Sequence, residues 1–275
     1  MDAPLRESSL AANLPPVCRL GLASRGNTNL TADDVHRAIA AGVNYLNWCG
    51  QSDGMSRAIR ELGSKRKNIV IAAQLSAESR SEMDRELDAV LAELKTDCLD
   101  VPTFYWMENR EQWARIRGTD GAWGALHAAK MDGRVRLIGV TSHQRKLAAE
   151  IAASGETELL MIRYNAAHTG AERDIFPVTA SRKIPVVAYT CLRWGALLKP
   201  TPDDPADFTP PPAPAWYRWA LQNENVAVAI MAPYNRVELE ENLTILSDWR
   251  GLSDAEWTVL CEHGKRVYKH AGSFP

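Results

Sequence analysis

Six side chains in this sequence have the type and position to move a proton or attack carbon: Tyr105, His143, His168, Asp53, Cys49 and Cys191. Each ends, or closely follows, a short apolar run. A phenol at Tyr105 is a proton donor, or a ring filling a cavity with its hydroxyl bonded to a neighbour. His143 follows Thr141-Ser142 and titrates near neutrality. It is an acid–base group, a cap for the next helix, or a phosphate-side contact. His168 has the same standing. Asp53, beside Gly54, is a carboxylic acid–base group or a loop cap bonded to its own backbone. Nucleophilic catalysis by Cys49 or Cys191 needs a base partner that the sequence does not identify, and small buried thiols are the default. Trp48, Trp106 and Trp194 form an aromatic wall for a flat or apolar substrate, or ordinary packing.

The elements that must position these groups alternate in type. Apolar runs predict strands over Arg19–Ser24, Asn44–Trp48, Asn68–Leu75, Cys98–Trp106, Val135–Thr141, Glu158–Asn165, Ile184–Thr190 and Val226–Met231. Periodic segments between them predict helices. One runs over Thr31–Ala41, with Thr31 as N-cap, and another over Ser81–Leu94 carries Met83, Leu87, Val90, Leu91 and Leu94 on one face. Eight apolar strands alternating with helices predict a (β/α)8 TIM barrel of the α/β class, a single domain over residues 1–275. The alternative is a doubly wound open sheet, but no GxGxxG follows the first strand. Residues 1–16 are expected to be flexible or extended. Lys199–Pro214, after the seventh strand, is too long and proline-rich for a plain connector and is expected to cover something. An extra helix is predicted at the C-terminal end, over Asp254–Tyr268.

Composition narrows the function classes. The formal net charge is -2 and no basic run is long enough for a phosphate-backbone footprint, which disfavours nucleic acid. The cluster Lys65-Arg66-Lys67 reads as a solvated helix end. Five widely spaced cysteines without a CxxC pair disfavour zinc and point to reduced thiols. No signal segment or membrane span is visible, so a cytoplasmic protein acting on a small molecule is expected.

Six stretches, in order along the predicted barrel, resemble the aldo-keto reductase superfamily. They are Ala41-Gly42-Val43-Asn44-Tyr45-Leu46-Asn47, Leu94-Lys95-Thr96-Asp97-Cys98-Leu99-Asp100, Gly133 to Thr141, Tyr164-Asn165, Ala188 to Leu192 with Gly195, and Glu240-Glu241-Asn242-Leu243. The resemblance implies carbonyl reduction with NADP(H) at the C-terminal ends of the strands, by a tetrad of Asp, Tyr, Lys and His. At those positions this chain has Asn47, Ser52 or Asp53, Gln74 and Tyr105, so none of the tetrad is kept. An amide at Asn47 brings no negative charge to pair with a lysine. Asn47 and Gln74 are hydrogen-bonding positioners, and Tyr105 is a phenol returned from a different strand.

On the cofactor side the resemblance gives Tyr189 the nicotinamide-stacking place and Thr141 and Ser142 the carboxamide contacts. Met161 replaces a glutamine. Arg236 and Asn242 open the last barrel helix, where an adenosine 2′-phosphate would meet free N–H groups and positive charge. Three functions stay open. One is an NADP(H)-dependent oxidoreductase with a non-standard catalytic site, with Tyr105 as the candidate proton donor. The others are a non-redox lyase or isomerase, and a catalytically silent nucleotide-binding protein.

Overall fold

In the computed structural model, which describes residues 1–24, 28–270 and 272, the chain opens with two very short strands, β1 (Glu7–Ser8) and β2 (Val17–Cys18), paired antiparallel. Eight parallel strands follow: β3 (Leu20–Ala23), β4 (Tyr45–Trp48), β5 (Val70–Leu75), β6 (Val101–Phe104), β7 (Gly139–Ser142), β8 (Leu159–Arg163), β9 (Val186–Tyr189) and β10 (Val226–Met231). They close in the order β3 to β10, with β10 pairing back onto β3. The expected single (β/α)8 barrel is what forms.

Strand periodicity divides the core in two. Tyr45, Val70, Ala72, Val101, Leu159, Met161, Val187 and Val228 pack inside the barrel. Leu46, Ile71, Ala73, Phe104, Val140, Leu160 and Ile162 face outward and meet the helices. Side chains alternate along a strand, so every second residue is interior. The strand ends therefore choose what lines the mouth.

In the N-terminal segment, Leu10, Leu14 and Val17 join the interior cluster and close the bottom of the barrel. Arg19 is buried beside it. Its guanidinium donates to the carbonyls of Leu5, Leu221, Asn223 and Val226, which satisfies a charge at the seam between β3 and β10.

Helices start where the caps are. Thr31 and Asp34 form a capping box before Ala32–Ala40. Arg80–Leu94 buries its predicted face of Met83, Leu87, Val90, Leu91 and Leu94. The helical segment between β8 and β9 is broken at Ile175 into Ala171–Asp174 and Phe176–Arg182. Pro177 sits in the first turn of the second piece, where its missing N–H costs nothing.

The proline-rich segment covers the C-terminal helix, Asp254–His270. The Asp204 side chain, only 5% exposed, accepts from the Thr201 N–H, from His263 Nδ1 at 3.1 Å and from Arg266 Nε at 2.5 Å. Phe208 stacks near His263, with the Arg266 guanidinium over its ring. The helix in turn seats beside the end of β8: a Cβ on Gly264 would stand 2.4 Å from the Ala166 carbonyl oxygen. No helix among the described residues is long and apolar enough to cross a membrane.

Candidate active site at the barrel mouth

Continuing the interior register to the C-terminal ends places Asn47, Gln74, Thr141, Arg163 and Tyr189 on the inner wall near the mouth, with Tyr105 and His143 one step beyond β6 and β7. β5 and β9 lie four strands apart around the ring, so Gln74 and Tyr189 stand on opposite walls. The strand register puts Asn47, Gln74, Tyr105, Thr141 and Tyr189 at one end of the barrel.

The mouth is aromatic on one side. The Tyr105 and Trp106 rings meet edge to face at 5.7 Å, Trp106 meets His143 at 5.2 Å, and His143 meets Tyr189 at 5.4 Å. Trp106 and Trp194 remain exposed, whereas Trp48 is buried in the layer behind the strand with its indole N–H on the Gln51 carbonyl. Of the three tryptophans expected at the mouth, Trp48 is packing, because its outward register turns it away from the interior.

His143 is held by a carboxylate. Glu108 accepts from the His143 backbone N–H at 3.0 Å, stands 3.2 Å from His143 Nδ1, and accepts from the Gln144 amide at 3.0 Å. An ionised carboxylate only accepts, so Nδ1 carries the proton toward Glu108 and Nε2 is left as the basic nitrogen. Burial pushes the imidazole below its ordinary value, against the pull of Glu108. A neutral, oriented imidazole is a general base at physiological pH. Glu108 had no sequence signal, because it lies in the loop after β6 and meets His143 only through β6–β7 pairing.

Among the buried polar atoms of the described residues without a hydrogen bond, the Tyr45 hydroxyl faces the interior, as do Thr141 Oγ1 and Asn47 Oδ1 at the strand ends. Buried polar atoms are ordinarily satisfied. The position of the latter two beneath Tyr189 and His143 suits the polar end of a ligand. Ser142 is different. Its hydroxyl donates to the Met107 carbonyl at 2.6 Å and accepts from the Gln144 N–H, so it fastens the loop. The Tyr189 hydroxyl donates to the Ser142 carbonyl at 3.2 Å, which holds the ring upright at the rim.

Other candidates have structural work. Asp53 caps Gly54–Arg60, accepting from the Ser56 N–H at 2.8 Å in a reciprocal box. Its carboxylate is a loop cap, the reading that short-range geometry favours for a residue directly before a helix. Cys191 is fully buried, and burial pushes its thiol up to about 12, so it is no nucleophile. Cys49 takes the Asn47 amide on its sulfur at 3.4 Å. His168, beside Asn165 and Tyr268, is driven down to about 4 by burial and by Arg163, Arg193 and Arg145.

At the far end of the crevice, Arg236 Nε bonds directly to Asp34, and its Nη2 lies 3.8 Å from Asp33. Asp34 is buried and also accepts from the Thr31 N–H and hydroxyl. Glu238 accepts from the Tyr234 N–H, and Asn235 caps the helix by accepting from the Glu238 N–H. The N-terminus of Arg236–Ser247 is capped by the Asn235 amide, and Arg236 is a clasp between the first and last barrel helices. Asn242 is buried with its Oδ1 unbonded. Arg236 stays about half exposed beside this helix end while paired with Asp34.

The family model for aldo/keto reductases matches residues 20–212, from β3 through the proline-rich segment. The chain belongs to the aldo/keto reductase family. Among curated proteins, the uncharacterized oxidoreductase YtbE of Bacillus subtilis (strain 168) is 22% identical over 215 residues, covering 76% of this chain and 73% of that protein. Among solved structures, the aldo-keto reductase AKR11C1 from Bacillus halodurans in its holo form superimposes with a TM-score of 0.76 at 16% identity, covering 94% of this chain and 96% of that one. An aldo/keto reductase from Brucella melitensis gives 0.71 at 20% identity, with 94% and 98% covered. At these identities the structural likeness speaks to the aldo-keto reductase fold; residue roles rest on the geometry above.

Proposed function

We propose that this aldo/keto reductase family member interconverts a carbonyl and an alcohol on a small, flat substrate with a nicotinamide dinucleotide, using proton-handling groups other than the family's tetrad. The observation that carries the reading is the meeting of Tyr105, His143 and Tyr189 at one rim above the unbonded Thr141 hydroxyl. A bound nicotinamide supplies hydride to the carbonyl carbon, or accepts it from the carbinol carbon in reverse.

The chain's own residues manage the proton. In oxidation His143 Nε2 takes the alcohol proton, and Glu108 stabilises the imidazolium that forms. In reduction the imidazolium returns that proton to the carbonyl oxygen. Tyr105 stands on the neighbouring strand end as the second hydroxyl able to donate to that oxygen. Asn47 and Gln74, uncharged, orient the substrate. Thr141 and Tyr189 would hold the carboxamide and ring face of the nicotinamide.

NADP(H) is the cofactor that the resemblance implies. The pairing of Arg236 with Asp34 supports a site that accepts a nicotinamide dinucleotide without selecting the 2′-phosphate. Titration with NADH and NADPH, followed by loss of reduced-nicotinamide absorbance with an aryl aldehyde panel, tests the reading. Binding of neither nucleotide, with no turnover on any carbonyl, sinks it.

The His143–Glu108 pair favours one second reading. A neutral, oriented imidazole also abstracts a proton beside a carbonyl, as a lyase or isomerase requires. Turnover in the absence of nucleotide would select it.

A further inference from the structure

Tyr189 ends β9 and Ser142 ends β7, with β8 between them. The Tyr189 hydroxyl nevertheless donates to the Ser142 carbonyl, at 3.2 Å. The ring therefore spans the end of β8 on the inner side of the barrel, packed against the interior cluster. It meets His143 edge to face at 5.4 Å, and His143 meets Trp106 at 5.2 Å. Beside Ser142 lies Thr141, which is 2% exposed and whose hydroxyl oxygen has no hydrogen bond. A buried hydroxyl of this kind gains a partner only when what covers it moves.

The backbone behind Tyr189 is suited to such a movement. Thr190 follows it with φ of +52°, in the left-handed region that a β-branched residue seldom enters. Its own hydroxyl oxygen is buried without a hydrogen bond. Two donors hold the Thr190 carbonyl in this pose, the Asn165 side-chain amide at 2.9 Å and the Arg193 backbone N–H at 2.8 Å. Left-handed backbone is costly for a residue with a Cβ, and such residues gather at ligand clamps and switches. At the other end of the row of rings, Trp106 is left-handed as well, with φ of +61°. The Ser142 side of the contact is fixed, because the Ser142 hydroxyl is tied to the Met107 carbonyl at 2.6 Å. Tyr189 is thus the member able to swing, held shut by one neutral hydrogen bond and ring contacts against strain at its neighbour.

We infer that Tyr189 is a gate over Thr141, latched shut in this structure by its hydroxyl on the Ser142 carbonyl and hinged at Thr190. Opening breaks that hydrogen bond, lets Thr190 relax toward ordinary backbone, and uncovers Thr141 for a flat ligand with a polar end. That the ligand is a nicotinamide rests on the function proposed above; the gate itself is testable without nucleotide.

Thr141→Cys places a thiol of similar size under the ring. Its alkylation by iodoacetamide is followed by mass spectrometry of the tryptic peptide 137–145, which holds no native cysteine. In the folded protein the rate is expected to be at least about tenfold below that in urea, since reaction waits on a local opening. Adding Tyr189→Phe keeps the ring and removes the latch. It should speed alkylation about three- to tenfold, the range that one neutral hydrogen bond sets. Adding Thr190→Gly should slow it roughly threefold, because glycine holds left-handed backbone without strain and favours the shut pose. Alkylation at the unfolded rate, or no change on Tyr189→Phe, overturns the gate. So does equal acceleration by both variants, which would mean that the turn merely loosens.

Stopped-flow binding of NADH to the parent and to Tyr189→Phe is the second arm and leaves Thr141 in place. A gate that is mostly shut lowers apparent affinity, so Tyr189→Phe should bind more tightly by about the same factor, through faster association. Weaker binding by Tyr189→Phe overturns the gate and makes the hydroxyl an ordinary ligand contact. Gated alkylation with no NADH binding by either protein keeps the gate and sinks the nucleotide reading. Ungated alkylation with NADH bound and oxidised does the reverse.

Discussion

His143 and Glu108 come from the ends of neighbouring strands and are joined twice, through the imidazole Nδ1 and through the His143 backbone N–H. The two contacts fix both the ring and the chain beneath it, so the carboxylate orients the base as well as balancing its charge. His143→Gln is expected to lower turnover by roughly a hundredfold or more, the usual size of a general acid–base contribution. Glu108→Gln should keep part of the activity and move the alkaline or acid limb of the pH–rate profile. Tyr105→Phe distinguishes the two proton-handling groups. If Tyr105→Phe removes activity and His143→Gln leaves the profile unmoved, the phenol carries the proton and the imidazole is packing.

Arg236 closes on Asp34 across the barrel seam, and this makes the nucleotide test specific. Arg236→Ala is expected to lower the melting temperature by a few degrees, since it strips a buried carboxylate of its cation. The ratio of NADPH to NADH affinity should stay within about twofold, well under the tenfold that 1.4 kcal/mol would produce. A selective loss of NADPH binding in parallel titrations would return Arg236 to the phosphate.

Acid stability should fall in two steps. His168 is lowered from its ordinary value to about 4 by burial first and the arginines second. Folding therefore favours the neutral ring. Its contribution is intact above roughly pH 6.5 and is lost as pH falls toward about 4. Asp204 is held down at about 2, because the Thr201 N–H, Arg266 and His263 outweigh its burial. Its contribution is intact above roughly pH 4 and is lost below it. His168→Gln should flatten only the upper step in urea melts across this range. Asp204→Asn should flatten the lower one and speed proteolysis within 199–212. A His168→Gln curve that overlies the parent's would remove the electrostatic account.

Gly54 is packed under the loop before the first helix. A Cβ there would stand 2.1 Å from the Leu30 carbonyl oxygen, which is backbone and cannot step aside. Gly54→Ala is expected to cost about 1–3 kcal/mol by overpacking, read as a shifted urea midpoint, with the Asp53 cap lost alongside. An unchanged midpoint would mean that the loop yields freely.

The barrel was legible because its signals are local. Val226–Met231 appears as a strand with the same bounds that its apolar run predicts, and Thr31 caps its helix as its neighbours require. The family resemblance pointed to Asn47, Gln74, Tyr105 and Tyr189 at strand ends, and period-two alternation in the structure puts them on the interior register. The same alternation puts Arg163, two positions beyond Met161, on the interior register.

What the sequence could not decide is which polar groups are already engaged. Arg236 and Asp34 are separated by 202 positions, and Glu108 and His143 by 35. Whether Asp53 caps a helix or serves a cavity, whether Ser142 fastens a loop or meets a ligand, and whether an arginine is clasped or offered depend on partners brought by barrel closure. Sequence order sets strand, helix and face by short-range forces. Only tertiary packing sets the charge pairs and orphaned atoms, because those energies arise between residues distant in sequence: Arg236 meets Asp34 where β10 docks on β3, and Glu108 meets His143 where β6 pairs with β7.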